Sequence, residues 1–224
     1  MQHAADFPSP NAGPRRHGAL PDLIVLHYTA MPSCAEAQAR LCDPVAQVSA
    51  HYLIAEQGEI IALVPEELRA WHAGAGAWGG CSDVNSLSIG IELANPGDAP
   101  FPEAQMAALE RLVADLRHRW GIPPERVIAH SDMAPLRKAD PGPRFDWRRL
   151  ALAGHSVWPD AAEPGDFLAD VRAFGYPDAP ADALLAAFRL RFRPWARGPL
   201  VPADAALAAD LAARFPVDAG PVRA

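Results

Sequence analysis

Two short apolar runs, each ending at a histidine, constrain the fold of this chain more than any other feature. Leu23–Leu26 is a continuous apolar run, which is typical of a short strand buried on both faces, and His27 stands at its carboxyl end. Arg126–Ala129 predicts a second short strand, and His130 follows it directly. Sites in sheets with helical crossovers gather beyond the carboxyl ends of the strands, so we expect the two imidazoles to meet at one edge of a sheet.

A carboxylate is the candidate third member of this site. Asp140 lies in a loop rich in glycine and proline, and such loops carry functional groups on a rigid scaffold. Two imidazoles and one carboxylate are the ligand set of a catalytic zinc, which keeps its fourth position open for water. The alternative is structural. A histidine at a strand end often only forms hydrogen bonds, and Lys138–Gly142 is also typical of a simple turn.

Further segments complete an α/β pattern. Leu87–Leu93 alternates between apolar and small or polar residues, so it predicts a third strand with Glu92 near its end. A hairpin is predicted over Val48–Val64. Pro102 as a first helical residue and Gly121 as a stop bracket apolar residues at helical spacing, so a helix between them is expected to cover the sheet.

Six short strings together make this chain similar to a known family. They are Leu-His-Tyr-Thr at 26–29, Ser49–Ile54, Trp71–Gly74, Ser88–Glu92, Ala129–Asp132 and Lys138–Gly142. In their order and spacing the chain resembles the zinc-dependent N-acetylmuramoyl-L-alanine amidases of the type-2 family, which share their fold with peptidoglycan recognition proteins. The resemblance covers about residues 20–155. Each string alone is weak evidence, whereas the six in one order are specific.

The resemblance implies a fold and a set of site residues. The fold is α/β, with a mixed central sheet flanked by helices. His27, His130 and Asp140 are implied to bind Zn²⁺, Glu92 to be the general base, and Lys138 to help stabilise the oxyanion. No departure from the family pattern is visible at these five positions.

The chemistry of amide cleavage agrees with these roles. An open zinc lowers the pKa of water from about 16 to about 7 and polarises the carbonyl. Glu92 is suited to move the proton from water to the leaving amine, a contribution of about 10²–10⁴-fold. Lys138 lies two residues before a proposed ligand, so its ammonium is expected near the oxyanion. The alternatives are a solvated strand carboxylate for Glu92 and a surface lysine for Lys138.

Residues that flank the proposed ligands and base are candidate substrate contacts. These are Tyr28, Thr29, Tyr52 and Asn95. Both tyrosines are equally typical of core or rim aromatics.

Two histidines and two tryptophans near the motifs have less definite roles. For His51 and His72, contact with substrate or support of the ligands is favoured over a fourth metal ligand. Trp71 and Trp78 are candidates for stacking on sugar rings, although simple packing is slightly favoured.

Composition excludes some classes of function. A net charge of −7 argues against binding to nucleic acid, which needs clustered lysine and arginine. No apolar stretch approaches the roughly 20 residues that span a membrane. The amino-terminal residues contain no apolar core of about 7–15 residues, and the three cysteines suggest free thiols. We therefore expect a cytoplasmic protein, taken to be monomeric. The alternative is a periplasmic or cell-envelope protein whose leader has been removed.

The character of the chain changes after residue 160. Apolar residues at helical spacing predict three helices, and the stripes are Phe167/Val171/Phe174, Leu185/Phe188/Phe192 and Leu207/Leu211/Phe215. We therefore predict a catalytic domain over 1–160 and a three-helix domain over 161–224. This second domain loosely resembles the peptidoglycan-binding modules that some amidases of the family carry. The alternative is a helical extension that only packs on the catalytic domain.

The resemblance as a whole implies a hydrolase. Its substrate would be the amide between N-acetylmuramic acid and L-alanine in peptidoglycan or muropeptides. Without a secretory signal, soluble muropeptides recycled in the cytoplasm are the expected substrates, with an anhydro sugar as one form. A lytic amidase acting on the intact wall is a second interpretation. A non-catalytic peptidoglycan sensor on the same fold is a third, and it is disfavoured because such sensors lose a metal ligand.

Overall fold

The structure is a computed structural model that describes residues 8–160 and 162–217. Within these ranges the chain forms seven strands and eight α-helices. The strands are β1 (Ala12–Pro14), β2 (Leu23–Tyr28), β3 (Tyr52–Ile54), β4 (Ile60–Ala62), β5 (Leu68–Ala70), β6 (Ser88–Leu93) and β7 (Val127–Ala129). The helices are α1 (Cys34–Cys42), α2 (Val84–Leu87), α3 (Glu103–Trp120), α4 (His130–Met133), α5 (Trp147–Leu152), α6 (Phe167–Phe174), α7 (Ala181–Phe192) and α8 (Pro202–Arg214). No helix in the described ranges is both long enough and apolar enough to cross a membrane.

Five strands form one mixed sheet in the order β4-β3-β6-β2-β7. Strands β3, β6, β2 and β7 run parallel, whereas β4 is antiparallel to β3, as the predicted hairpin requires. Strands β1 and β5 form a separate antiparallel pair. The prediction of an α/β fold with a mixed central sheet is therefore confirmed.

The register of the parallel strands determines which residues meet at the carboxyl edge. His27 of β2 pairs with Glu92 of β6. On the other side of β2, Leu26 pairs with Ala129, the last residue of β7, and His130 follows it as the first residue of α4. Both histidines and the glutamate therefore lie at one edge of the sheet.

Successive side chains of a strand point to opposite faces, and this alternation separates core from site. Ile24, Leu26 and Ile91 lie in the apolar core that α3 covers. Their neighbours His27 and Glu92 line a cavity on the other side of the sheet.

Helix α3 begins and ends close to its predicted limits. Gly121 caps its carboxyl end in the left-handed conformation, with φ 68°, and its N–H donates to the carbonyl of Arg117. A left-handed cap suits glycine because glycine has no Cβ. Pro102 is the residue just before the helix, with an extended ψ of 149°, and is not its first helical residue as predicted.

The three C-terminal helices share one apolar core with the sheet. Phe174 of α6, Phe188 of α7 and Leu211 of α8 belong to the same buried cluster as Val25 of β2 and Ile128 of β7. The predicted helical stripes are thus present, and they pack on the face of the sheet opposite to α3.

This shared core favours a helical extension that packs on the catalytic part. The division into domains at 1–160 and 161–224, and any binding of the wall by these helices, remain predictions. Parts of both predicted domains, residues 1–7, 161 and 218–224, lie outside the described residues.

A buried ion pair connects the C-terminal helices to the start of α4. Arg191 of α7 donates to Asp132 over 2.7 Å, and both side chains are completely buried. Asp132 also accepts from the hydroxyl of Tyr176 at 2.6 Å and from the backbone N–H of Ala129 at 2.9 Å. Since α4 begins at His130, this network supports the backbone that carries one of the site histidines.

Replacing Arg191 by methionine should therefore destabilise the whole protein. The change leaves the Asp132 carboxylate buried without its cation, and losing one partner of such a pair costs about 3–5 kcal/mol. Denaturant unfolding measures the loss. The matched control is Arg172→Met, because Arg172 pairs with Asp178 at the surface and exposed pairs contribute little. Equal effects of the two substitutions would contradict the role of the buried pair.

Candidate metal centre

Three side chains bring their donor atoms to one point at the carboxyl edge of the sheet. His27 Nδ1 lies 2.9 Å from His130 Nδ1 and 2.9 Å from Asp140 Oδ2. His130 Nδ1 lies 3.0 Å from the same carboxylate oxygen. All three residues are buried. The structure thus brings together the three residues that the sequence proposed as metal ligands.

Different elements hold each of the three. His27 is the penultimate residue of β2, and His130 opens α4 directly after β7. Asp140 comes from the loop after α4, and its backbone carbonyl accepts from the N–H of Ser131 at 3.1 Å. A short loop tied back onto α4 therefore returns the carboxylate to the two imidazoles.

The proton of His130 can be assigned from its partner. Its Nε2 lies 2.9 Å from the carbonyl oxygen of Ala73. A carbonyl can only accept, so Nε2 carries the proton and donates it. In the neutral ring, Nδ1 then presents a lone pair to Asp140 and His27. A ligating histidine is oriented in this way when its other nitrogen donates to a backbone carbonyl.

Electrostatics favours a neutral imidazole beside an ionised carboxylate. Burial lowers the pKa of His27 to about 4, and the neighbouring His130 adds to this effect, although Asp140 opposes it. Burial alone would raise the pKa of Asp140, but an Nδ1–H that His130 or His27 turns to the carboxylate outweighs burial and holds that pKa well below its usual range, a role that a bound cation would take over. Metal ligands must be deprotonated in this way.

This donor set fits a zinc ion. His130 Nδ1 and the Asp140 oxygen are both acceptors at 3.0 Å, an arrangement that is repulsive unless a cation lies between them. Imidazole nitrogen and carboxylate oxygen are common ligands of zinc, and three protein ligands are typical of a catalytic site. His27, His130 and Asp140 are the residues that would hold the ion.

Glu92 lies beside the three donor residues but is not one of them. Its Oε2 is buried and has no hydrogen-bond partner among the described residues. Burial raises the pKa of Glu92 to about 8, the Asp140 carboxylate contributes to the rise, and Lys138 opposes it. An unpaired buried carboxyl group with a pKa near neutrality is a candidate proton carrier.

A cavity of about 460 Å³ opens over these groups. Lys138, Tyr28 and Thr29 line it together with Glu92 and the three donor residues. Lys138 is exposed, and its backbone N–H donates to the carbonyl of Ala134 at 3.0 Å. Its ammonium is therefore free to reach a ligand in the cavity.

Two of the predicted substrate contacts, Tyr52 and Asn95, do not line this cavity. Tyr52 lies on the α3 face of the sheet, and its hydroxyl donates to Glu66. Its neighbour Leu53 takes the site-side face instead, because strand side chains alternate. Asn95 is buried and does not line the cavity. Its side chain organises the loop after β6, where it accepts from the N–H of Gly97 at 2.8 Å.

The remaining histidines and tryptophans of the motifs lie either at the cavity or in the core. Trp71 and His72 line the cavity, whereas Trp78 is buried against Phe174 of α6. Trp78 therefore takes the favoured alternative of simple packing. His51 lies away from the donor group, and its Nδ1 accepts from the N–H of Gly90 at 3.0 Å, which agrees with the preference for a role other than fourth ligand.

Two arginines of the cavity wall were not among the site residues predicted from the sequence. Arg40 of α1 and Arg137 both line the cavity. Arg137 donates to the carbonyl of Ala73, the same oxygen that His130 uses. The position of Arg137 beside Lys138 was an available indication. Nothing in the sequence marked Arg40, which appears there as a polar residue of an amphipathic helix.

Comparison with known proteins agrees with this geometry. The family model described as N-acetylmuramoyl-L-alanine amidase matches residues 17–143. The amidase AmiD of Escherichia coli (strain K12) is 44% identical over 163 residues, which are 66% of this chain and 58% of AmiD. The 1,6-anhydro-N-acetylmuramyl-L-alanine amidase AmpD of Enterobacter cloacae is 34% identical over 164 residues, which are 66% of this chain and 88% of AmpD.

Solved structures extend the similarity to the C-terminal helices. The E. coli AmiD complex with anhydro-N-acetylmuramic acid-L-Ala-D-γ-Glu-L-Lys superposes with a TM-score of 0.81 at 34% identity, covering 97% of this chain and 94% of that one. AmpDh3 of Pseudomonas aeruginosa superposes with a TM-score of 0.79 at 31% identity, covering 96% and 98%. Because the family model matches more than half of its length, the chain belongs to the N-acetylmuramoyl-L-alanine amidase family.

Proposed function

We propose that this protein is a zinc-dependent amidase that hydrolyses the bond between N-acetylmuramic acid and L-alanine in muropeptides. One observation carries the proposal: three metal-donor atoms lie 2.9–3.0 Å apart in a cavity that also contains the unpaired carboxyl group of Glu92. Hydrolysis of an unactivated amide is served by a metal site with a proton carrier beside it.

The substrate class is supported by relatives and by charge. AmiD and AmpDh3 have been solved with anhydro-muramic peptides. The D-γ-Glu residue of the AmiD ligand carries a free carboxylate, because its side-chain carboxyl forms the peptide bond. Arg40, Arg137 and Lys138 on the cavity wall are suited to such an anionic stem peptide.

Each residue of the site has a defined task in this reaction. When bound by His27, His130 and Asp140, zinc supplies an activated water and polarises the scissile carbonyl. The ionised form of Glu92, which positive charge at the metal site and at Lys138 favours, accepts a proton from the attacking water and passes it to the leaving nitrogen of L-alanine. Lys138 donates an N–H to the oxygen on which negative charge develops. The buried position of the donor residues keeps their charges unscreened by bulk water.

A sensor without catalysis is the second candidate. Such a protein needs the cavity and its cations but neither a complete ligand set nor a proton carrier. The presence of all three donors, with Glu92 and Lys138 beside them, favours the enzyme.

We also propose that the protein acts in the cytoplasm on soluble muropeptides released from the wall. The soluble form of the substrate is supported by solved relatives, whose ligands are anhydro-muramic peptides. The wall-acting alternative predicts a different substrate preference.

The roles of ligand and proton carrier can be separated by two substitutions. The parent protein should contain one zinc per chain. Asp140→Ala should lose both zinc and turnover, because two imidazoles alone leave the ion underligated. Glu92→Gln should keep zinc while kcat falls about 10²–10⁴-fold, because only proton transfer is lost. Metal analysis and release of L-alanine-containing peptide measure these effects. Loss of zinc from Glu92→Gln would make Glu92 a ligand.

The raised pKa of Glu92 predicts a pH dependence of stability in the metal-free protein. The folded state retains this proton up to about pH 8, whereas the unfolded chain releases it near the ordinary value of 4.5. Between these values the unfolded state binds fewer protons, so the free energy of unfolding should fall as pH rises and level off above about 8. Glu92→Gln should lack this part of the decline. Denaturant unfolding at several pH values tests it, with the exposed Glu67→Gln as control. Parallel profiles for parent and Glu92→Gln would contradict the pKa assignment.

Substrate preference tests the proposed compartment and form of substrate. Purified protein should cleave a soluble anhydro-muropeptide efficiently and release much less peptide from intact sacculi at equal concentration of the scissile amide. Preference for sacculi would instead support the wall-acting alternative. Absence of cleavage of either substrate by the zinc-loaded protein, with retained muropeptide binding, would support the sensor.

A further inference from the structure

His72 contacts a proposed metal ligand without belonging to the ligand set. Its Nδ1 lies 3.0 Å from Nε2 of His27, the nitrogen that faces away from the metal centre. Its own Nε2 lies 3.1 Å from the hydroxyl oxygen of Ser88. His72 thus bridges His27 and the first residue of β6.

The direction of the hydrogen bonds follows from a backbone carbonyl. The Ser88 hydroxyl oxygen lies 2.6 Å from the carbonyl oxygen of Val84. A carbonyl only accepts, and a hydroxyl has a single hydrogen, so Ser88 donates to Val84. Ser88 can then only accept from His72, and the proton of His72 is on Nε2.

The proton of His27 follows from the way its ring faces. Its Nδ1 lies 2.9 Å from both His130 Nδ1 and Asp140 Oδ2, so a metal held by these residues would bind that nitrogen. The proton of His27 is then on Nε2, which donates it to the Nδ1 of His72.

The ring of His72 is held in place from two sides. A Cβ at Gly90 would come within 2.4 Å of the imidazole, so glycine lets the backbone of β6 pack directly against the ring. The backbone N–H of His72 donates to the Oδ1 of Asn85 at 3.1 Å. The bridging geometry is consequently a property of the fold around β6.

We propose that His72, oriented by Ser88, is a positioning residue that sets the tautomer of His27 and so presents Nδ1 to the metal. The inference rests on the proposed metal centre. His130 obtains its tautomer directly from the Ala73 carbonyl, whereas His27 obtains it from the Val84 carbonyl through two side chains. For both ligands, a backbone carbonyl therefore determines which ring nitrogen carries the proton.

The hydrogen bonds from His27 through His72 and Ser88 to the Val84 carbonyl form a relay. Ser88→Ala tests this relay without changing a metal ligand. Without the hydroxyl, His72 can place its proton on Nδ1, which forces His27 to move its own proton to the metal-facing nitrogen. Zinc affinity, measured by competition with a chromophoric chelator, should fall about 10–100-fold. The matched control is Ser131→Ala. This buried hydroxyl is next to His130 and has no hydrogen-bond partner among the described residues, so its removal should leave affinity unchanged.

Nitrogen-15 NMR of the imidazoles reads the tautomers directly in the zinc-loaded protein. In the parent, His27 and His72 should both carry their protons on Nε2. This measurement on the parent stands even if a variant folds poorly. A zinc-loaded parent whose His72 carries its proton on Nδ1, or a Ser88→Ala protein with unchanged zinc affinity, would overturn the relay. A parent that binds no zinc would overturn the proposed metal centre, whereas its His72 would still carry a proton on Nε2, held by Ser88.

Discussion

The parallel pairing of β2 with β6 and β7 is the constraint on which the site depends. It places His27 opposite Glu92 and brings the end of β7, followed by His130, to the same edge. A shift of one residue in this register would move each side chain to the other face of the sheet. The core that α3 covers prevents that shift, because it would turn His27 into the apolar core in place of Leu26. Burial of the core thus determines the geometry of the chemistry.

At the metal centre, backbone carbonyls determine which imidazole nitrogens carry the protons. Donor atoms that approach within 3.0 Å in a buried site can bind a cation only if they are not protonated. Carbonyls of Ala73 and Val84 hold the imidazole protons on the far side of the rings. Glu92 is the exception, since its unpaired carboxyl group is left free to take up and release a proton.

The sequence predicted the parts of this structure that have local patterns. Apolar runs and helical stripes located the strands of the five-stranded sheet, α3 and the C-terminal helices, and strand ends located His27 and His130. Tyr52 was named as a substrate contact but lies on the α3 face, because an aromatic residue in a motif gives no information on which face it takes. The pairing of Asp132 with Arg191 joins residues 59 positions apart, so no local pattern could predict it. The relay through Ser88 was missed because it depends on a carbonyl.

Crystals of the zinc-loaded protein, measured on both sides of the zinc absorption edge, show directly which residues hold the metal. We expect one anomalous peak per chain, bonded to His27 Nδ1, His130 Nδ1 and Asp140 Oδ2, with Glu92 and His72 outside the bonding distance of about 2.0–2.2 Å. A peak bonded to Glu92 or His72, or one that excludes any of the three donors, would contradict it.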